Sequence, residues 1–176
     1  MRAIWMFPAL CLALAVQPAA AALPVGSTAP EVRTMGALGG KTFRLDLAEQ
    51  LRHGPVVLYF FPKAFTECCT LETKAFADAM PRFRAAGARV IGMSADDLPT
   101  LKRFSTEACR SKFPVATASP ATIQAYDVVL KMKPGLTDRT SYVIAPNGRI
   151  VMVHSELDWK EHVSKTLAAV QALKKR

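Results

Sequence analysis

Val56-Val57-Leu58-Tyr59-Phe60-Phe61 is an unbroken apolar run rich in Val and aromatic residues, which predicts a buried strand that Pro62 ends. Beyond it, Leu71, Ala75, Phe76, Ala79, Met80 and Phe83 recur at three- and four-residue steps, the stripe of an amphipathic helix over 66–86. Thr66 suits the N-cap of that helix, Pro81 predicts a kink within it, and Gly87 fits its C-cap. Arg89-Val90-Ile91-Gly92-Met93-Ser94 is the next buried strand. Residues 56–94 therefore read as a βαβ unit whose two strands run parallel.

The flanking segments carry weaker patterns. Leu23 to Gly40 is rich in Pro, Gly, Ser and Thr and reads as an arm wrapping the domain; Thr42 to Leu47 alternates like a short strand, and Ala48 to His53 forms a helical turn. Asp96-Asp97 caps a helix that runs to about Ser111, with Leu98, Leu101, Phe104 and Ala108 on one face. Phe113 to Ala118 is a short apolar segment, Ala121 to Val128 a helix, and Lys131 to Thr140, with Pro134-Gly135, a loop. Ser141 to Ala145 and Ile150 to His154 are strands joined across Pro146-Asn147-Gly148-Arg149, a hairpin signal. Trp159 to Leu173 closes the chain as an amphipathic helix. Internal repeats, low-complexity blocks and linkers are absent.

The N-terminus changes the expected destination. Arg2, the apolar stretch Ala3 to Val16 and the Ala20-Ala21-Ala22 site have the order of a secretory signal peptide over 1–22. The alternative is an uncleaved anchor. Cleavage leaves 23–176 as one domain, with a periplasmic or secreted destination and no stable membrane association. The formal net charge of +9 argues for solubility and weak attraction to anionic surfaces. Its basic residues are dispersed, with no long basic run interleaved with aromatics, so no nucleic-acid partner is expected. Cys11 leaves with the signal peptide, and Cys68, Cys69 and Cys109 remain. An odd number of cysteines in an exported chain marks at least one reactive thiol.

Cys69 is that thiol. With Thr66 as N-cap it falls in the first turn of the helix, where free backbone N–H groups and the positive end of the dipole favour a thiolate. Pro62-x-x-x-Thr66-x-x-Cys69, flanked by Tyr59-Phe60-Phe61-Pro62-Lys63 and Cys69-Thr70-Leu71-Glu72, resembles the active-site signature of the peroxiredoxins, in their bacterioferritin-comigratory or Q-type branch. Where many of these proteins have Pro-Gly, this chain has Glu67-Cys68, and a carboxylate there opposes a nearby thiolate while complementing the helix N-terminus.

The resemblance implies an α/β thioredoxin-like fold, a central mixed β-sheet flanked by helices, which is also the layout of the elements above. It implies that Cys69 is the peroxidatic cysteine, attacking hydrogen peroxide or a small organic hydroperoxide. Thr66 is then a hydrogen-bond donor to sulfur or peroxide as well as a cap. Pro62 shields the thiolate and fixes the turn. Arg139, before Ser141-Tyr142-Val143-Ile144, matches the family's active-site Arg and is expected to stabilise the anion. Arg149 is expected at the surface. Some Q-type members place a resolving cysteine in the helix that here holds Cys109, and others five residues after the peroxidatic one, where this chain has Lys74. Cys109 is therefore the candidate resolving thiol, forming a disulfide that a thioredoxin-like or other dithiol protein reduces. If it is not, the enzyme is a one-cysteine type.

Other readings stay open on the residues alone. Cys68 is a bystander or minor resolving thiol. His53, His154 and His162 show no pairing pattern, and Trp159, Phe60 and Phe65 are core or pocket-wall residues. A thiol–disulfide oxidoreductase is the nearest rival, although the chain lacks a Cys-x-x-Cys motif. A copper chaperone on the same fold is the non-enzymatic rival. Neither metal nor cofactor is required, because sulfur itself carries the electrons. The assembly expected is a monomer or weak homodimer.

Overall fold

The computed structural model describes residues 22–175. The signal-peptide reading, with Cys11, falls on residues 1–21 and the first described residue. It therefore lies almost wholly outside that range.

Seven strands among the described residues form one mixed sheet in the order β2-β1-β5-β4-β3-β6-β7. They are β1 (Arg33–Leu38), β2 (Lys41–Asp46), β3 (Val56–Phe60), β4 (Arg89–Ser94), β5 (Val115–Thr117), β6 (Thr140–Ile144) and β7 (Ile150–Ser155). β3 is buried along its whole length, parallel to β4 and antiparallel to β6. A continuous apolar run is what a strand covered on both faces requires. Its residues alternate between two cores. Val57, Tyr59 and Phe61 face the helices α2 (Glu67–Ala85), α3 (Leu98–Glu107) and α5 (His162–Lys174), while Val56, Leu58 and Phe60 face α1 (Leu47–Leu51) and α4 (Pro120–Ala125). Tyr59 lies opposite Gly92 on β4, and a Cβ at Gly92 would come within 2.9 Å of the Tyr59 ring. Glycine makes room there for the largest side chain of the first core.

α2 runs on through Pro81 and stops where Gly87 adopts φ 74°. The N–H of Ala88 reaches back to Phe83 O at 2.9 Å, so the expected C-cap forms.

Three expectations are corrected. Only residues 22–32 behave as an arm, with Gly26 N donating to Ile150 O at 2.8 Å. Residues 33–38 are instead a full sheet strand between β2 and β5. The enabling feature is Gly36, where a Cβ would meet Val115 O at 2.8 Å. The helix begun at Asp97 ends at Glu107 rather than near Ser111, because Arg110 and Ser111 turn into the left-handed region at φ 50° and 55°. Cys109 thus sits in a turn after α3. The final helix starts at His162, not Trp159.

Candidate active site

The turn from β3 into α2 is pinned from three sides. Phe61 N donates to Met93 O at 3.0 Å, and Thr137 Oγ1 donates to Phe61 O at 2.6 Å. Ala64 N donates to Asp96 Oδ2 at 2.7 Å, an oxygen that also accepts from Ser94 Oγ at 2.8 Å. Phe65 then takes φ 64°, uncommon for a bulky residue and held only by context. Its ring meets Phe104 edge-on at 5.2 Å and lies under the Arg103 guanidinium at 5.0 Å. It is 40 % exposed, whereas Phe60 is wholly core. Pro62 stands half-buried at the strand end.

Thr66 occupies the N-cap with extended backbone, but its hydroxyl makes no cap bond and donates instead to Lys63 O at 3.0 Å. The expected side-chain cap is therefore replaced by a bond that closes the preceding loop. Cys69 follows in the first turn of α2 and is 1 % exposed; Cys68 beside it is exposed.

The long-range partner expected for Cys69 is present. Arg139 Nη2 donates to Cys69 Sγ at 3.5 Å, Nη1 donates to Glu72 Oε2, and Nε donates to Leu157 O at 2.8 Å. Three fixed donors of one guanidinium thus orient it between a sulfur and a carboxylate. Burial works against the charge on Arg139, but the negative charge of Glu72 and Cys69 outweighs it and raises its pKa. Arg149 is exposed, as expected.

Two residues of this cluster escaped the sequence reading. Glu72 is fully buried, and desolvation pushes its carboxyl up to about 8 although Arg139 pulls the other way. His162 is also fully buried and is pushed down to about 4, chiefly by desolvation. Its Nε2 donates to Glu156 O at 2.9 Å, so Nδ1 accepts from Ser141 Oγ at 2.8 Å. The ring of His154 lies 4.5 Å from that of His162, which corrects the expectation of unpaired histidines. A signal for Glu72 did exist, since it shares the buried stripe of α2 with Cys69 and Phe76. A charged residue on an apolar stripe needs a partner.

Cys109 is also a free thiol, fully buried in the same core as Cys69, and burial pushes its thiol up. Its turn is tied down by Arg110 Nη1 to Asp78 Oδ1 at 2.6 Å and by Ser111 N to Ser105 O at 2.9 Å. Thr66, Cys69 and Arg139 therefore converge on the start of α2, and Cys109 approaches that core from the far end of α3.

Comparison with known proteins gives a consistent result. The AhpC/TSA family matches residues 25–153. A chloroplastic peroxiredoxin Q of Populus jackii is 30 % identical over 147 residues, covering 82 % of this chain and 67 % of the relative. A putative peroxiredoxin of Mycobacterium tuberculosis is 30 % identical over 134 residues, covering 73 % of this chain and 85 % of the relative. Among solved structures, the peroxidoxin BcpB of Mycobacterium tuberculosis superposes with TM-score 0.73 at 28 % identity, covering 85 % of this chain and 97 % of that one. Xanthomonas campestris peroxiredoxin Q does so with TM-score 0.68 at 27 % identity, covering 80 % and 90 %.

Proposed function

The chain belongs to the AhpC/TSA family as a Q-type peroxiredoxin, a thiol-dependent peroxidase, and we propose that Cys69 is the sulfur that attacks the peroxide. The observation that carries this assignment is the 3.5 Å contact from Arg139 Nη2 to Cys69 Sγ at the start of α2. A fixed cation and the helix N-terminus both favour the anionic sulfur. The same guanidinium stabilises negative charge as it develops on the departing oxygen.

The thiolate attacks one peroxide oxygen, the O–O bond breaks, and Cys69 becomes a sulfenic acid as hydroxide or alkoxide leaves and is protonated. Sulfur loses two electrons and the peroxide gains them. Cys109 then displaces water from the sulfenic acid to give a Cys69–Cys109 disulfide. An external dithiol protein of thioredoxin type reduces it. Because Cys109 is fully buried in its turn, this second step needs the 108–112 turn and the first turn of α2 to open. Thr66 orients the loop before the sulfur, with its hydroxyl available to peroxide once the Lys63 bond is exchanged, and Pro62 screens the sulfur side of the turn. Neither rival reading, disulfide oxidoreductase or copper chaperone, is favoured by the relatives, which are peroxiredoxins. The pattern of residues 1–22 supports export to the periplasm or beyond, and the enzyme acts there as a monomer or weak homodimer.

The test is single-turnover peroxide loss with thiol mapping. Wild type is expected to consume one equivalent and yield a Cys69–Cys109 link, and Cys69→Ser to consume none. Peroxide loss by folded Cys69→Ser at the wild-type rate contradicts the assignment.

A further inference from the structure

One cation faces two groups that ionise as anions. Cys69 Sγ and Glu72 Oε2 lie on two arms of the Arg139 guanidinium, and all three residues are 3 % exposed or less. With both Cys69 and Glu72 ionised the pocket holds an uncompensated buried negative charge, which is strongly disfavoured. His162 supplies no second cation. Its Nε2 hydrogen is committed to Glu156 O, and burial together with His154, Arg139 and Lys165 keeps the ring neutral. Tyr59, on β3, is fully buried and its hydroxyl pairs with Thr73 Oγ1 at 3.1 Å. The groups facing Glu72 are thus Cys69 on α2, Arg139 before β6, His162 on α5 and Tyr59 on β3. His154 on β7 and Lys165 on α5 stand behind His162.

Glu72 Oε1 is buried with no hydrogen-bond partner among the described residues, and it lies 3.8 Å from His162 Nδ1. Since Nδ1 is an acceptor, two acceptors face each other across this gap as long as Glu72 is ionised. A hydrogen on Oε1 removes that opposition, and becomes a donor aimed at an acceptor when the Ser141 hydroxyl, which holds the single Nδ1 lone pair at 2.8 Å, turns away.

We propose that Glu72 takes up the proton that Cys69 gives up, holding it on Oε1 toward His162, so that Arg139 pairs with one anion at a time. This rests on Cys69 being the attacking sulfur. In the first step the Cys69 thiol and the Glu72 carboxylate become a thiolate and a carboxylic acid, with no electrons moved. In the second, the peroxide O–O bond breaks, the sulfur becomes an uncharged sulfenic acid, and the negative charge leaves on hydroxide or alkoxide. The proton stored at Glu72 offsets that charge, giving water or alcohol and restoring the Arg139–Glu72 ion pair. Charge in the pocket stays constant throughout. The proton reaches Glu72 and returns by way of solvent, so Glu72 itself touches neither the sulfur nor the peroxide. Its effect on Cys69 runs through their shared partner Arg139, which makes it a positioning residue.

Infrared difference spectroscopy on the reduced full-length chain at neutral pH tests this directly. A protonated-carboxyl band is expected in wild type and expected to vanish on peroxide addition. It should be weaker in Cys69→Ser, where Arg139 has only Glu72 to pair with, and absent from Glu72→Gln. An identical band in wild type and Cys69→Ser, or none in either, overturns the proposal. Glu72→Gln keeps an acceptor for Arg139 but takes up no proton. Its Cys69 should react with iodoacetamide within about twofold of wild type at neutral pH, since a neutral Glu72 does not compete with the sulfur for Arg139. A folded Glu72→Gln chain alkylated about tenfold faster than wild type, one pH unit of altered competition, also overturns it, because Glu72 is then the anion paired with Arg139 in the reduced wild type. Peroxide loss by folded Cys69→Ser at the wild-type rate instead refutes the role of Cys69, so failure of that reading is distinguishable from failure of this one.

Discussion

Cys69 and Cys109 share one apolar core and nearly the same burial, yet their surroundings prepare them for opposite behaviour. Cys69 is 1 % exposed but begins a helix and has a guanidinium at 3.5 Å. Cys109 is 0 % exposed, follows the end of a helix, and has its thiol raised by desolvation, which outweighs the lowering effect of a backbone hydrogen bond. Under the proposed assignment of Cys69, burial alone therefore does not decide reactivity. What decides it is whether burial comes with a charge and a helix end of the right sign. The same contrast appears in rigidity. Both segments hold left-handed non-glycine residues, Phe65 before Cys69 and Arg110 and Ser111 after Cys109, conformations that persist only under restraint. The Cys69 loop is restrained by buried and half-buried bonds from Thr137 and to Asp96, but the Cys109 turn by an exposed pair to Asp78 and by backbone bonds such as Ser111 N to Ser105 O.

Removing the charge at Cys69 should have the largest effect. Arg139→Gln is expected to slow the first turnover by about 10²-fold, the scale of losing one preorganised donor. It should also destabilise the fold by on the order of 3 kcal/mol, because Glu72 loses its buried partner. Stopped-flow peroxide decay and urea denaturation read the two effects. Cys109→Ser should leave the first turnover within about twofold of wild type, since desolvation keeps that thiol out of the attack step. It should abolish the disulfide and turnover with a thioredoxin-type reductant, read by mass spectrometry and a coupled assay.

A smaller effect separates Glu72 from His162 by pH. Glu72 has a folded-state pKa raised from 4.5 to about 8, so its contribution is full below the unfolded value and is lost as pH rises through about 8. His162 is lowered from 6.5 to about 4, so its contribution is full above 6.5 and is lost as pH falls toward 4. Glu72→Gln should flatten the alkaline loss of stability and His162→Asn the acidic one, each by up to about 3 kcal/mol at the extremes. Thermal melts across that range measure both slopes. The smallest effect is expected at Arg110→Ala. Breaking its exposed pair with Asp78 should change stability by under about 1 kcal/mol, while loosening the Cys109 turn and accelerating disulfide formation.

The parts of this molecule that local pattern encodes were legible in the sequence. The apolar run of β3, the stripe of α2, the Gly87 cap and the β6–β7 hairpin all follow from spacing and turn residues. Arg139 was placed beside Cys69 only through family resemblance, because nothing local in either segment brings them together. β1 was missed since its entry into the sheet depends on the close approach at Gly36, a tertiary fact. The Glu72–His162 pair joins α2 to α5; the position of Glu72 on the α2 stripe signals its burial, but nothing local names His162 or Arg139 as its neighbours. Thr66 was assigned the right position and the wrong bond, since a hydroxyl chooses between neighbouring acceptors and amides by loop geometry that sequence does not fix.

The central claim is that the sulfur beside Arg139 meets the peroxide first. A sub-stoichiometric pulse of hydrogen peroxide in the presence of dimedone, followed by peptide mass spectrometry, tests it most directly. The adduct is predicted on Cys69, with Cys68 and Cys109 unlabelled although Cys68 is the exposed thiol. An adduct on Cys68 with Cys69 unmodified would contradict the account.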